Sequence, residues 1–346
     1  MDHARFLSTA ATLPDDVLSE IFEHCLPQLP SSHPCISISQ VCKAWRRVAL
    51  RTPRLWTMYN GVLSKNRIPW KLFGRSGNFP VYISMNFNLT FTFPHVPSTH
   101  DLDHSSLHKV KGVDIHGSLN LGWITSWLSH FPNLRRLSLM GVQVTYAFMT
   151  LMTYIETNLQ QLSHLHIICT GWNGTTGLLQ LRVWADLAVL TLERGKEIDP
   201  LQLFVNFPNL VECSLLSFTH IKRVQGESEL RLTNTKLRSL SILVDETATI
   251  KDFFDKTTVS SLSTLAFNVE WSVKTKTDVD FLDPFISRSQ CKISSLTLLS
   301  ATNVSPIQTE SANRIGTRWS IPHVVFHRGP FETTDVYRDS KDRWYS

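Results

Sequence analysis

Residues 131–141 read Phe-Pro-Asn-Leu-Arg-Arg-Leu-Ser-Leu-Met-Gly, and residues 207–217 read Phe-Pro-Asn-Leu-Val-Glu-Cys-Ser-Leu-Leu-Ser. Both follow the pattern apolar-x-x-apolar-x-apolar, as Leu134/Leu137/Leu139 and Leu210/Cys213/Leu215. The same pattern recurs at Val110/Val113/Ile115, Leu162/Leu165/Ile167, Leu187/Leu190/Leu192, Leu237/Leu240/Ile242, Leu262/Leu265/Phe267 and Ile293/Leu296/Leu298, with starts 23 to 31 residues apart. Alternation by two predicts a short strand with one apolar face. A strand that short cannot fold alone, so neighbouring copies must stack and bury a continuous apolar ladder.

Helices are expected between the strands. Tyr146 to Gln160 carries Phe148, Met152, Ile155 and Leu159 on one stripe. Asp199-Pro200 and Thr249 open two more, as a capping side chain and a first-turn proline do. The array resembles leucine-rich repeats. That resemblance implies an α/β solenoid: a curved, mainly parallel sheet on the concave side, with helices and loops on the convex side. The repeat consensus places asparagine or cysteine three residues past the last apolar position. Val142, Thr170 and Phe218 stand there, so the usual buried side-chain ladder is expected to be missing. A strand at Val81–Phe87 extends the array, giving it residues 79–302. Residues 303–346 read as a polar loop, a strand at His323–Phe326 and a charged tail from Asp335, together a C-terminal cap.

Working back to the N-terminus, a tail (1–11) precedes a helical segment (12–60) and a linker with a short helix (61–78). The segment contains Leu13-Pro14-Asp15-Asp16, with a first-turn proline and carboxylates at the positive end of a helix dipole. Val17, Leu18, Ile21, Phe22 and Cys25 follow at helical spacing. A second apolar face holds Ile38, Val41, Cys42, Trp45, Val48 and Ala49, and the segment closes on Thr52-Pro53-Arg54-Leu55-Trp56. So small a segment cannot bury all that apolar surface internally. The order LPDDVLSEIF, VCKAWRRVA, TPRLW resembles the F-box, and the whole chain looks similar to the large F-box families of mushroom-forming fungi. The connector from Pro27 to Cys35, rich in proline and serine, departs from the commonest form.

The resemblance implies a substrate receptor of a Skp–cullin–RING ubiquitin ligase. Leu13, Pro14, Leu18, Ile21, Val41 and Trp45 would contact the Skp-family adaptor, and through it cullin and RING subunits. The repeat array would hold an unknown target protein, and the chain would perform no bond chemistry itself. An interaction scaffold without ligase function is the other reading.

Composition fits this picture. Of 346 residues, 42% are hydrophobic and 18% charged, as in a folded chain with a sizeable core. The net charge of +5 is not gathered into a dense basic run, so neither nucleic acid nor a membrane surface is an expected partner. The opening residues lack the pattern of a secretory signal. Scattered cysteines suit buried thiols in a reducing compartment, cytoplasmic or nuclear.

Candidate sites elsewhere are sparse. Alternation along the strands predicts an outward row of His116, Met140, Ile168, Glu193, Leu216, Leu243, Asn268 and Leu299. Met140, Ile168, Leu216, Leu243 and Leu299 are apolar there: they either line a target-recognition surface or are covered by the C-terminal segment, unless the strands are simply buried on both faces. His100, His104 and His108 share helical spacing, but the prolines and serines around them argue for a loop, and no metal site is expected. Gly171, Gly174 and Gly177 lack the following Lys-Ser/Thr of a phosphate cradle. No nucleophile–base constellation and no cofactor motif is present.

Overall fold

The computed structural model of the chain describes residues 13–25, 34–62, 70–87, 107–117, 121–143, 146–172, 184–195, 197–218, 220–221, 232–244, 248–268, 281–300 and 306–328. The chain divides into two compact units, Met1–Val142 with Thr157–Leu162, and Gln143–Glu156 with Ser163–Ser346.

The first unit opens with helices Asp15–Cys25, Pro34–Val41 and Lys43–Arg51 and a 3-10 turn at Pro53–Trp56. Four strands follow: β1 (Met58–Val62), β2 (Val81–Phe87), β3 (Val110–Gly117) and β4 (Arg136–Gln143). They pair in parallel and in chain order. This corrects the sequence reading, in which 61–78 is a linker and the array begins at 79. Met58 already pairs with Tyr82. The short helix Trp70–Phe73, prolonged as a 3-10 turn to Ser76, lies between two paired strands rather than before the sheet.

In the second unit the repeated motif supplies β5 (His164–Trp172) and β6 (Val189–Gly195). After the two-residue β7 (Glu197–Ile198) come β8 (Glu212–Phe218), β9 (His220–Ile221), β10 (Leu232–Asn234), β11 (Ser239–Val244), β12 (Thr257–Val259), β13 (Thr264–Asn268), β14 (Ser295–Ser300) and β15 (His323–Arg328). The main sheet here runs β5-β6-β8-β11-β13-β14-β15, again parallel. Helices Pro200–Asn206, Ala248–Lys256, Leu282–Ser289 and Pro306–Arg318 fall between strands. The first of them begins as its sequence dictates, with Asp199 Oδ1 accepting from Gln202 N (3.1 Å) and proline in the first turn. This is the solenoid-like α/β arrangement that the period implies.

The core follows the motif. Every motif position from Val110 to Leu298 is buried. A ninth copy, Ile321/Val324/Phe326, escaped the sequence reading. Leu296 pairs with Val324 and Leu298 with Phe326, and a helix occupies the stretch read as a polar loop.

A side-chain ladder does exist, but at the other end of the repeat. Asn133 Nδ2 donates to His108 O (3.1 Å), Asn209 Nδ2 to Ala185 O (2.7 Å) and Ser261 Oγ to Thr235 O (2.5 Å). Lys236 Nζ donates to Asn209 Oδ1 (2.6 Å). Each donor directly precedes the first apolar position of its motif and reaches back one repeat. The shared Phe-Pro-Asn-Leu is therefore a rung, with proline turning the chain and asparagine tying the turn to its neighbour.

At the far end of the strands a second device repeats. Gly117, Gly141, Arg194 and Ser217 all have positive φ, and each stands two residues past the last motif position of its strand. The left-handed residue inserts a bulge, so Leu215 pairs with Ile242 but Phe218 with Val244. Phe218 thereby turns back into the core, where it is buried. This fold geometry occupies the place where the repeat consensus has asparagine.

Candidate functional site

The N-terminal helices build their own small core. Leu18, Phe22, Cys35, Ile38, Val48, Ala49, Leu55 and Trp56 form one buried cluster, with Ile36, Trp45 and Leu72 packed against it. The Phe22 and Trp45 rings lie 4.9 Å apart at 58°. Trp56 is held by polar contacts as well as packing. Its Nε1 donates to Ala49 O (2.8 Å), and the Arg75 guanidinium sits 4.8 Å from its ring centre.

The second apolar face is split between two helices. Cys42, at φ −156° and ψ 172°, is extended, and its Sγ accepts from Trp45 N at 3.4 Å. The thiol thus caps Lys43–Arg51 and breaks the path from Val41. Thr52 closes the far end: its Oγ1 donates to Val48 O (2.9 Å) and lies 2.9 Å from Ser19 Oγ, joining the third helix to the first. Ion pairs Arg47–Asp15 (2.8 Å) and Arg54–Glu23 (3.3 Å) tie the same elements at the surface.

With the interior filled in this way, several large apolar side chains remain outside. Val41 is 45% exposed and Ile21 41%; Leu13, Val17 and Leu50 are exposed as well. Pro14 is exposed, while its carbonyl accepts from Leu18 N (3.0 Å) to start the first helix. Four of the six expected contact residues, Leu13, Pro14, Ile21 and Val41, therefore lie on the surface. Leu18 does not. At 1% exposure it belongs to the module's interior, which corrects its assignment as a contact. Trp45 is half-buried, its ring tilted against that of Phe22. Val17, part of the matched motif but not among the expected contacts, is exposed on the turn between Leu13 and Ile21. Helical spacing could have found it, since 13, 17 and 21 are four apart.

The outward row of the sheet fares differently. Leu216, Leu243 and Leu299 are buried and cluster together. They cannot serve as an open recognition surface, which corrects the first of the expectations for them and leaves a covered face. Glu193, in the same row, is also buried, with Oε1 3.4 Å from Arg194 Nε. Alternation gives the face a side chain points to, but not whether that face is covered. Met140 and Ile168 are half-buried. His100, His104, Gly174 and Gly177 lie outside the described residues.

Residues 10–60 match the F-box-like family model. No curated protein matches the chain. The matched span holds the closed core and the uncovered apolar residues just described.

Proposed function

We propose that this chain is the substrate-recognition subunit of a Skp–cullin–RING ubiquitin ligase, with the F-box-like segment docking on the Skp-family adaptor. The observation that carries this reading is the uncovered apolar set Leu13, Val17, Ile21 and Val41 on a module whose core is already complete. Large apolar side chains left in water beside a finished core mark a surface made for another protein. The F-box-like match over residues 10–60 supports a Skp-family adaptor as that protein.

The rest of the chain, on this reading, binds the target. No residue need break or form a bond. Holding a target lysine near a ubiquitin-loaded conjugating enzyme raises its effective concentration, and a fixed scaffold keeps that gain from being lost to free rotation. The module joins the sheet without a spacer. Thr57 O accepts from Tyr82 N (2.7 Å), one residue after Trp56 ends the helical core. The Tyr59 and Phe73 rings meet at 4.4 Å just beyond.

The test is affinity isolation of the full chain with a Skp-family adaptor, then with cullin and RING subunits, beside a Val17→Asp, Ile21→Asp variant. Co-isolation of all subunits by the wild type, lost in the variant, is the expected result. Adaptor without cullin would favour the scaffold reading, and no adaptor at all would overturn the proposal.

A further inference from the structure

Among the described residues, the main sheet of the second unit ends at β15. Within the described residues this strand pairs with β14 on one side, through six consecutive residues from His323 to Arg328, and with no strand on the other. Its outer edge presents a row of backbone N–H and C=O groups. Natural edges of this kind are usually blunted by lysine, proline or a bulge. The run His323-Val324-Val325-Phe326 has none of these, and its register with β14 is unbroken.

Side chains show the same incompleteness. Leu296 and Leu298, the motif residues of β14, are buried, as are their counterparts throughout the array. Val324 and Phe326, in register with them, are only half-buried. Helix Pro306–Arg318 closes one flank: Ile315 is buried, and a Cβ on Gly316 would meet Val324 Cγ2 at 2.8 Å. No described element covers the outer flank. On the opposite face Val325 is 40% exposed.

We propose that β15 is a dimerisation edge, pairing antiparallel with β15 of a second copy of this chain about a two-fold axis at Val325. Side-chain parity selects the register. Residues directly opposite in a sheet share a face, so a two-fold axis perpendicular to the sheet must pass through a residue pair of equal parity. Centring on Val325 sets Val325 against its symmetry mate and Val324 against Phe326 of the other copy, twice. Each half-buried core residue then gains an apolar neighbour on the face where its equivalents in the array have one. Centring one residue earlier would set Val325 against His323 and Phe326 against Pro322, which lies before the strand and has no N–H to give a ladder. Centring one residue later would set Val325 against His327 and Val324 against Arg328. Of these three centres only Val325 pairs apolar with apolar on both faces, as a stable isologous ladder requires.

Sedimentation equilibrium of the full chain over a concentration series tests this, with Val325→Lys, Val325→Glu and their equimolar mixture. Val325 is exposed, so either charge should leave the circular dichroism of the folded chain unchanged. Self-pairing places like charges face to face, so each variant alone should dissociate at least about tenfold more readily than wild type. The mixture should recover the two-chain mass. A wild type of one-chain mass throughout, oligomers beyond two, or a dimer indifferent to both charges would overturn the proposal. Adaptor binding is measured separately, so failure here leaves the F-box reading untouched.

Discussion

Leu18 and Ile21 stand less than one turn apart on the same helix, yet one is 1% and the other 41% exposed. Their substitutions should therefore separate folding from docking. Leu18→Ala opens a cavity in the cluster that holds Phe22 and Trp56 and should cost roughly 2–5 kcal/mol of stability. Ile21→Asp should leave the melting temperature near wild type and weaken adaptor binding by on the order of 100-fold. Thermal melts beside titration calorimetry with a Skp-family adaptor check both, and equal melting losses in the two variants would contradict the division.

The left-handed position at the strand ends predicts opposite signs at equivalent places. Gly141, at φ +87°, would bring an added Cβ to 2.8 Å from Gly117 O. Gly141→Ser should destabilise by roughly 1–3 kcal/mol. Ser217 already carries the strain of a side chain at φ 57°. Ser217→Gly should stabilise by up to about 1 kcal/mol, part of the relief being offset by a freer unfolded chain. Urea denaturation of the two variants against wild type reads the sign directly.

Asn209 is a rung held from both sides, donating to Ala185 O and accepting from Lys236 Nζ. Asn209→Ala should cost about 1 kcal/mol, because the exposed groups it leaves can turn to water. Faster amide exchange along β6 and β8, with the other strands unaffected, would mark the loss as local.

Buried thiols bear on behaviour in alkali. Burial pushes Cys35 and Cys291 up to about 11 and Cys169 and Cys213 up to about 12, from an ordinary 9.0. The folded state then holds protons that the unfolded chain releases. Stability from these groups is complete below about pH 9 and falls as pH rises through the folded values. Iodoacetamide mapping at pH 8 should find half-buried Cys42 labelled well before these four, and uniform labelling would mean that the core opens readily.

The array was legible because leucine at fixed steps is both the signal and the cause of the fold. Where the cause left no such signal, the reading fell short. In β1, Met58-Tyr59-Asn60-Gly61-Val62 lacks the motif and is held by pairing with β2. Helix Pro306–Arg318 is largely polar and keeps its place through a few residues such as Ile315. The residues after the strand foretell that the consensus ladder is missing there, but nothing in the period foretells the ladder that stands before the strand. On the F-box-like helices, the resemblance marked apolar positions without saying which point inward. Leu18 and Ile21 differ only by their angle about the helix axis.

Thr57 alone separates Trp56 from Met58. Strand parity therefore governs any attempt to transplant the helical module onto another array. One residue inserted at that junction would reverse the parity of β1 and turn buried Tyr59 out toward solvent. Two would restore the parity while shifting where the module points, so the joint could be re-aimed only in even steps.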